Sequence, residues 1–173
     1  MSKTKRSWIW IYILLFTTSC LAQPSANLPP DPFLNESITS YLVAEVGING
    51  FGGEVFCAFD YLDANKDTDG NIFIWALCQE YYLAGDSITE GSGISLPVAL
   101  QTQSTNGQID IIGHRVPGDG SYYGPDVREI FPRITWSQIM PKKGEGLNQY
   151  NLRVSELSNE TRMIATEYFS ATD

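Results

Sequence analysis

The sequence predicts an α+β fold, in which an antiparallel sheet of about four strands is flanked by an N-terminal and a C-terminal helix. Three observations support this prediction. Alternating or continuous apolar segments fill the middle of the chain, apolar residues at helical spacing lie near both ends, and Asn106-Gly107 is a strong hairpin-turn signal between two apolar segments. The length of 173 residues suits one domain with appendages.

The first predicted element is a helix that opens with Asn35 as its N-cap. Ile38, Leu42 and Val46 follow at helical spacing, and Gly47 ends the pattern. The same segment contains β-branched residues that would also suit a strand.

Two strands are predicted next, separated by a polar loop. In residues 54–62 the odd positions are apolar, which is typical of a half-buried strand. Residues 72–83 are apolar at both parities, which indicates a central strand covered on both faces. The polar run 63–71 between them has the composition of a loop.

A second hairpin is predicted around Asn106-Gly107. Residues 94–101 alternate in polarity, and Pro97 favours a sheet edge or a bulge because it lacks a backbone donor. A symmetric turn would place Leu100 opposite Gly113 and Thr102 opposite Ile111, so that apolar faces match.

The C-terminal third predicts two helices. Pro125 opens a short helix that Pro132 stops. A longer helix is predicted over about residues 155–169, with Leu157, Ile164 and Tyr168 on one face.

The N-terminus has the pattern of an export signal over residues 1–22. A basic start is followed by the apolar run 8–16 and then by small residues, and the run is too short for a permanent membrane span. Residues 17–20 resemble a lipobox ending in Cys20, although Thr17 stands where leucine is typical; cleavage after Ala22 is the alternative. The expected mature protein is therefore either a lipoprotein of the cell envelope or a secreted protein. Residues 23–33 form a Pro-rich spacer, and residues 34–173 form a single globular domain.

Composition excludes several classes of function. The net charge is −9, and removal of the signal would leave eight basic residues against twenty acidic ones, so nucleic acid is not an expected partner. His114 is the single histidine, which rules out any site that needs two imidazoles.

Several phrases of the sequence resemble a group of small, uncharacterised bacterial exported proteins, often lipoproteins. They are residues 74–82 (IWALCQEYY), 93–100 (GISLPVAL), 114–123 (HRVPGDGSYY) and 130–132 (IFP), so the resemblance covers about residues 50–135. It implies export and a single small domain, and it implies no activity.

Cys57 and Cys78 lie on consecutive predicted strands. Pairing Asp63 with Ile72 would put the two cysteines directly opposite each other, whereas a shift of two residues along the ladder would separate them diagonally. Export would allow them to form a disulfide, and two buried free thiols are the alternative.

An acidic loop echoes the first half of a calcium-binding loop. Asn65, Asp67 and Asp69 alternate as oxygen ligands before Gly70, but Ala76 stands where the bidentate carboxylate should be. We favour a solvated loop, with at most weak, incidental Ca²⁺ binding, and we expect no cofactor.

Catalytic groups are sparse. His114 has Asp119, Ser121 and Asp126 nearby in sequence, but no nucleophile-elbow motif accompanies them. A carboxylate pair such as Asp60 with Glu80 is the other candidate, and both residues also suit the exposed side of a strand.

Aromatic residues near a glycine-rich turn offer a candidate binding surface. His114, Asp119, Tyr122 and Tyr123 compose it, and packing of the tyrosines into the core is the alternative. The sequence thus predicts a non-enzymatic exported binding or accessory domain that contacts an envelope component or a protein partner, with the membrane reached only through a lipid anchor. A small envelope hydrolase that uses carboxylates or His114 is the alternative.

Overall fold

The computed structural model describes residues 32–62, 70–106, 108–141 and 147–172. The order of elements is that of an α+β fold, as the sequence predicts. The helices and strands are α1 (Pro32–Glu45), β1 (Glu54–Tyr61), β2 (Asn71–Ala84), β3 (Ser87–Thr105), β4 (Gln108–Arg115), α2 (Tyr123–Ile130), α3 (Trp136–Ile139) and α4 (Leu147–Ala171), with 3₁₀ turns at Gly120–Tyr122 and Arg133–Thr135.

Helix α1 begins earlier than predicted. Its first residue is Pro32, whose fixed φ suits the first helical turn, so the prediction of Asn35 as the N-cap was wrong. The side-chain oxygen of Asn35 instead accepts a hydrogen bond from the Tyr61 hydroxyl at 2.8 Å. The helix therefore starts inside the range predicted as spacer.

The four strands form one antiparallel sheet in the order β1-β2-β3-β4. Of the two β1–β2 registers that the sequence left open, the structure has the one with Cys57 opposite Cys78. Strand β2 is buried along most of its length, which confirms that it is covered on both faces. Strand β1 is also covered on its second face, where Ala58 is buried, so describing it as half-buried was incomplete.

The β3–β4 hairpin differs from the prediction by one residue. Thr102 lies opposite Ile111 as predicted, but Leu100 lies opposite His114 rather than Gly113. The reason is a bulge at Ile112, which adds one residue to β4 between these two pairs.

Pro97 lies in β3, at a position where β3 pairs with β2 on one side and with no strand on the other. It pairs with Trp75 of β2, whereas β4 pairs with β3 only from Ala99 onward. A residue without a backbone N–H is tolerated there because no fourth strand needs it as a donor.

Helices cover both faces of the sheet, so the fold has three layers. One apolar cluster lies between α1 and the sheet, and a second lies between the sheet and α2, α3 and α4. The α1 cluster contains, among its buried residues, Leu34, Ile38, Leu42, Val46, Cys57, Ile74, Cys78, Val98 and Leu100. The second contains, among others, Phe73, Trp75, Leu77, Val127, Phe131, Ile139 and Leu157.

Helix α4 buries a different stripe from the predicted one. Its buried residues recur every four positions and are Arg153, Leu157, Thr161 and Ala165, whereas Ile164 and Tyr168 are exposed. The longer helix starts at Leu147, eight residues before the predicted start. No helix among the described residues is both long enough and apolar enough to span a membrane.

Candidate functional site

His114 and Asp126, which are near each other in sequence, lie on opposite faces of the sheet. The Nδ1 atom of His114 lies 3.0 Å from the Tyr41 hydroxyl of α1, so its side chain is on the α1 face of the sheet. Asp126 belongs to α2 on the other face, where one carboxylate oxygen accepts a hydrogen bond from the Gly118 N–H at 2.8 Å. His114 and Asp126 therefore do not form the histidine–carboxylate pair of an acyl-transfer triad.

The predicted aromatic surface is also divided. Asp119 and Tyr122 are exposed at a 3₁₀ turn, and the Tyr122 side chain is 70% exposed. Tyr123 packs against the second apolar cluster, and burial, aided by nearby Tyr150, raises the pKa of its hydroxyl to about 12. His114 on the α1 face and Tyr123 on the opposite face do not form one surface.

Asp60 and Glu80 lie on opposite faces of the sheet. Asp60 accepts a hydrogen bond from Arg153 of α4, whereas Glu80 accepts hydrogen bonds from the loop that follows α1. Their partners on the facing strands are Trp75 and Val55, so they are five positions, or roughly 17 Å, apart along the strands. A glycosidase pair needs carboxyl groups within about 5–9.5 Å.

The buried Glu80 side chain anchors the loop that follows α1. It is fully buried, and its carboxylate accepts four backbone hydrogen bonds of 2.8–3.0 Å. The donors are the N–H groups of Gly50, Phe51, Gly53 and Ser92. Burial alone would raise the pKa of Glu80, but the four donors outweigh it and hold the pKa at about 2.

Glycines make this arrangement possible. A Cβ atom at Gly91 would lie 2.6 Å from a Glu80 carboxylate oxygen, and one at Gly53 would collide with the backbone oxygen of Tyr81. Opposite Glu80, Gly91 and Ser92 form a β-bulge in β3, and the Gln79 amide donates to both of their carbonyl oxygens. Glu80 and Gln79 thus fix both a bulge and the loop of residues 47–53.

This loop presents an exposed aromatic side chain. Phe51 is 67% exposed, and its ring stacks on Tyr82 with centroids 5.7 Å apart and planes 8° apart. The Asn49 side chain braces the loop, since it accepts a hydrogen bond from the Gly52 N–H and donates one to the Gly53 carbonyl. We call Phe51 and Tyr82 the aromatic pair.

The sequence did not predict the aromatic pair or its anchor. The exposed side of a strand was one of the two places expected for Glu80, and its burial shows that this expectation was wrong. One signal was present in the chain: glycines cluster at residues 47–53 and again at 91–93, on either side of a carboxylate in a strongly apolar strand. Such clusters permit close approach of backbone to a buried group.

The cysteine pair lies on the α1 face beside this anchor. Cys57 and Cys78 are joined by a disulfide with Cα atoms 4.1 Å apart. Both are buried beneath α1, in the cluster that contains Ile38 and Leu42.

Other predicted site residues lie outside the described part of the chain. These are Cys20 and the loop residues Asn65, Asp67 and Asp69. Within the described residues, no cluster of three or more histidine, cysteine or acidic side chains is arranged to hold a metal ion.

Comparison with known proteins gives no further assignment. No family model, curated protein or solved structure matches the chain.

Proposed function

We propose that the chain is an exported, non-enzymatic binding or accessory domain, anchored by lipid on Cys20, which contacts an envelope component or protein partner through the aromatic pair. The observation that carries the proposal is the exposed ring of Phe51 on a loop that the buried Glu80 carboxylate holds by three backbone hydrogen bonds.

The energetics of binding favour this surface. An aromatic side chain supplies a large contact area with few rotatable bonds, and a loop that is already ordered loses little entropy when a partner binds. Glu80 and Asn49 order the loop in advance, and Tyr82 restricts the Phe51 ring by stacking on it. Tyr122 has a similar exposure but no comparable anchor among the described residues, which makes it a matched control.

Two features support export. The first 22 residues have the order of a secretory signal, basic then apolar then small. The disulfide between Cys57 and Cys78 would be stable in an oxidising compartment and rare in a reducing cytoplasm.

The alternative function, a small envelope hydrolase, draws less support. The groups it would use already have structural partners: His114 with Tyr41, Asp126 with Gly118, and Glu80 with four backbone donors. A general acid or base must be free to reach substrate.

Site-specific crosslinking tests the binding surface. The full chain would carry a photoreactive benzoylphenylalanine at position 51 or, as control, at position 122, and would be irradiated in a bacterial host that exports it. We expect a discrete crosslinked species from position 51 alone. An excess of wild-type domain without the photoreactive residue should suppress this crosslinked species, and an excess of the Phe51→Ser domain should not. Equal crosslinking from both positions, no crosslinking at position 51, or equal competition by the two domains would refute the proposed surface.

Lipid attachment has a separate test. We expect the wild-type chain to incorporate labelled palmitate and to sediment with membranes, and Cys20→Ala to do neither. Membrane retention of Cys20→Ala without label would refute the anchor and leave the binding surface unaffected, because Cys20 is distant in sequence from residues 47–53.

A further inference from the structure

The disulfide is covered by helix α1. Cys78 is fully buried and Cys57 is 2% exposed, and both belong to the cluster that α1 forms with the sheet. The Sγ atom of Cys78 lies 3.9 Å from the backbone oxygen of Leu42, which is a packing contact because a disulfide sulfur carries no proton. Within the described part of the chain, both cysteines are therefore almost completely shielded from solvent beneath α1.

Reduction of a disulfide requires direct access to sulfur. A thiolate must attack one sulfur while the other leaves as a thiolate. The approaching thiolate is charged, so entry into the dry layer between α1 and the sheet would cost its hydration. The apolar side chains that close this layer from the α1 side include Ile38 and Leu42.

Helix α1 contacts the sheet through apolar packing and side-chain hydrogen bonds. It is a continuous helix at the N-terminal end of the described residues. Besides its apolar stripe, side-chain hydrogen bonds from Tyr41 to His114 and from Tyr61 to Asn35 attach it to the sheet. The loop that follows is fixed by Glu80 from Gly50 onward, so movement of α1 need not disturb the strands.

We propose that α1 is a lid over the Cys57–Cys78 disulfide, and that a dithiol reductant reacts with it from a state in which α1 has left the sheet and the strands remain folded. One reagent thiolate bonds to a cysteine sulfur and releases the other cysteine as a thiolate. The second reagent thiol then displaces the first cysteine. The reagent becomes a cyclic disulfide, its two electrons reduce the protein disulfide, and its two protons end on the cysteine thiols. The lid would protect an exported domain from thiol–disulfide exchange.

Reduction kinetics under native conditions test the lid. The full chain would be treated with dithiothreitol without denaturant. The free thiols of Cys57 and Cys78 would be alkylated at intervals and counted by mass spectrometry. The two key variants are Leu42→Ala in the lid and Leu157→Ala, a buried leucine of α4 on the opposite face. Urea unfolding would establish the global stability of each.

The lid predicts a clear difference between these variants. Leu42→Ala should raise the reduction rate at least about tenfold, because it weakens the α1 contact directly. Leu157→Ala, although less stable than wild type, should change the rate less than about twofold. Equal acceleration by both would mean that reduction needs global unfolding, and no acceleration by Leu42→Ala would mean that α1 does not control access; either result overturns the proposal.

A milder variant covers the case in which Leu42→Ala does not fold. Tyr41→Phe keeps the ring and removes the hydrogen bond to His114, so it should raise the rate about fivefold. An unchanged rate for Tyr41→Phe, with the native fold confirmed by circular dichroism, would contradict the lid.

Discussion

Loss of the Cys57–Cys78 disulfide should lower the stability of the fold by an amount set by the loop it closes. The cysteines are 21 residues apart in sequence. The chain-entropy relation gives an entropy loss of about 11 cal/mol/K for the cross-linked unfolded chain, or about 3.3 kcal/mol at 25 °C. The stabilisation acts mainly on the unfolded state, since both sulfurs lie in an already well-packed cluster.

Urea unfolding of the oxidised chain, the reduced chain and the Cys57→Ala/Cys78→Ala double variant measures this quantity. With an m-value of about 2 kcal/mol/M, the reduced chain should unfold at a urea concentration about 1.6 M lower. The m-value should rise on reduction, because the unfolded chain becomes less compact. The double variant should be at least as destabilised as the reduced chain.

A small effect would refute this reasoning. If reduction costs less than about 1 kcal/mol and leaves the m-value unchanged, the disulfide does not restrict the unfolded chain as the loop length implies. If the double variant is much less stable than the reduced wild type, packing of the sulfurs beneath α1 contributes more than the cross-link itself.

Three further predictions concern the anchored loop and helix α4. Four backbone donors lower the pKa of Glu80 to about 2, so the stabilisation that its carboxylate provides should be complete above the ordinary pKa of about 4.3 and be lost as the pH falls through 2. Glu80→Gln should be less stable than wild type at pH 7 and should lack this part of the pH dependence. Urea unfolding at pH 7, 4 and 3 would show both effects. Asp60→Asn should lower the free energy of unfolding by less than about 1 kcal/mol, because that side chain is half exposed. Arg153→Met should lower it by more in the same assay, because the Arg153 side chain is only 7% exposed and its guanidinium bonds to both Asp60 and Gln138. Gly53→Ala should lower the melting temperature by several degrees, since its Cβ would collide with a backbone oxygen; a melting temperature within about one degree of wild type would contradict so close an approach of the two backbone segments.

The sheet was largely predictable from the sequence because apolar alternation has a period of two. A slip of one residue in β1 would have moved Cys57 and its apolar neighbours to the other face, so the pattern restricted the register strongly. The β4 bulge was not predictable in the same way. Ile111 and Ile112 are both apolar, so the sequence did not show which of them faces the core, and in the structure Ile112 is the exposed extra residue.

Helix α4 shows why its buried face could not be read from apolar residues. Two of its four buried positions are Arg153 and Thr161. Arg153 donates hydrogen bonds to Asp60 and Gln138, and the Thr161 hydroxyl bonds with that of Tyr81. Such residues are normally assigned to solvent, since burial is favourable only when partners exist. Those partners come from distant parts of the chain, and no local pattern encodes them.

The aromatic pair was hidden for the same reason, since the donors to Glu80 lie 12 to 30 residues from it. Once β2 is built, however, Cys78 and Glu80 are alternate residues on one face, so the disulfide and the loop anchor lie side by side beneath the segment that runs from α1 to β1. The anchor holds the loop and the lid contacts hold the helix, which makes the two proposals separable. Opening of α1 should leave Phe51 in place on Tyr82. Reduction of the disulfide should therefore leave crosslinking from position 51 unchanged, whereas Glu80→Gln should weaken that crosslinking without opening the lid.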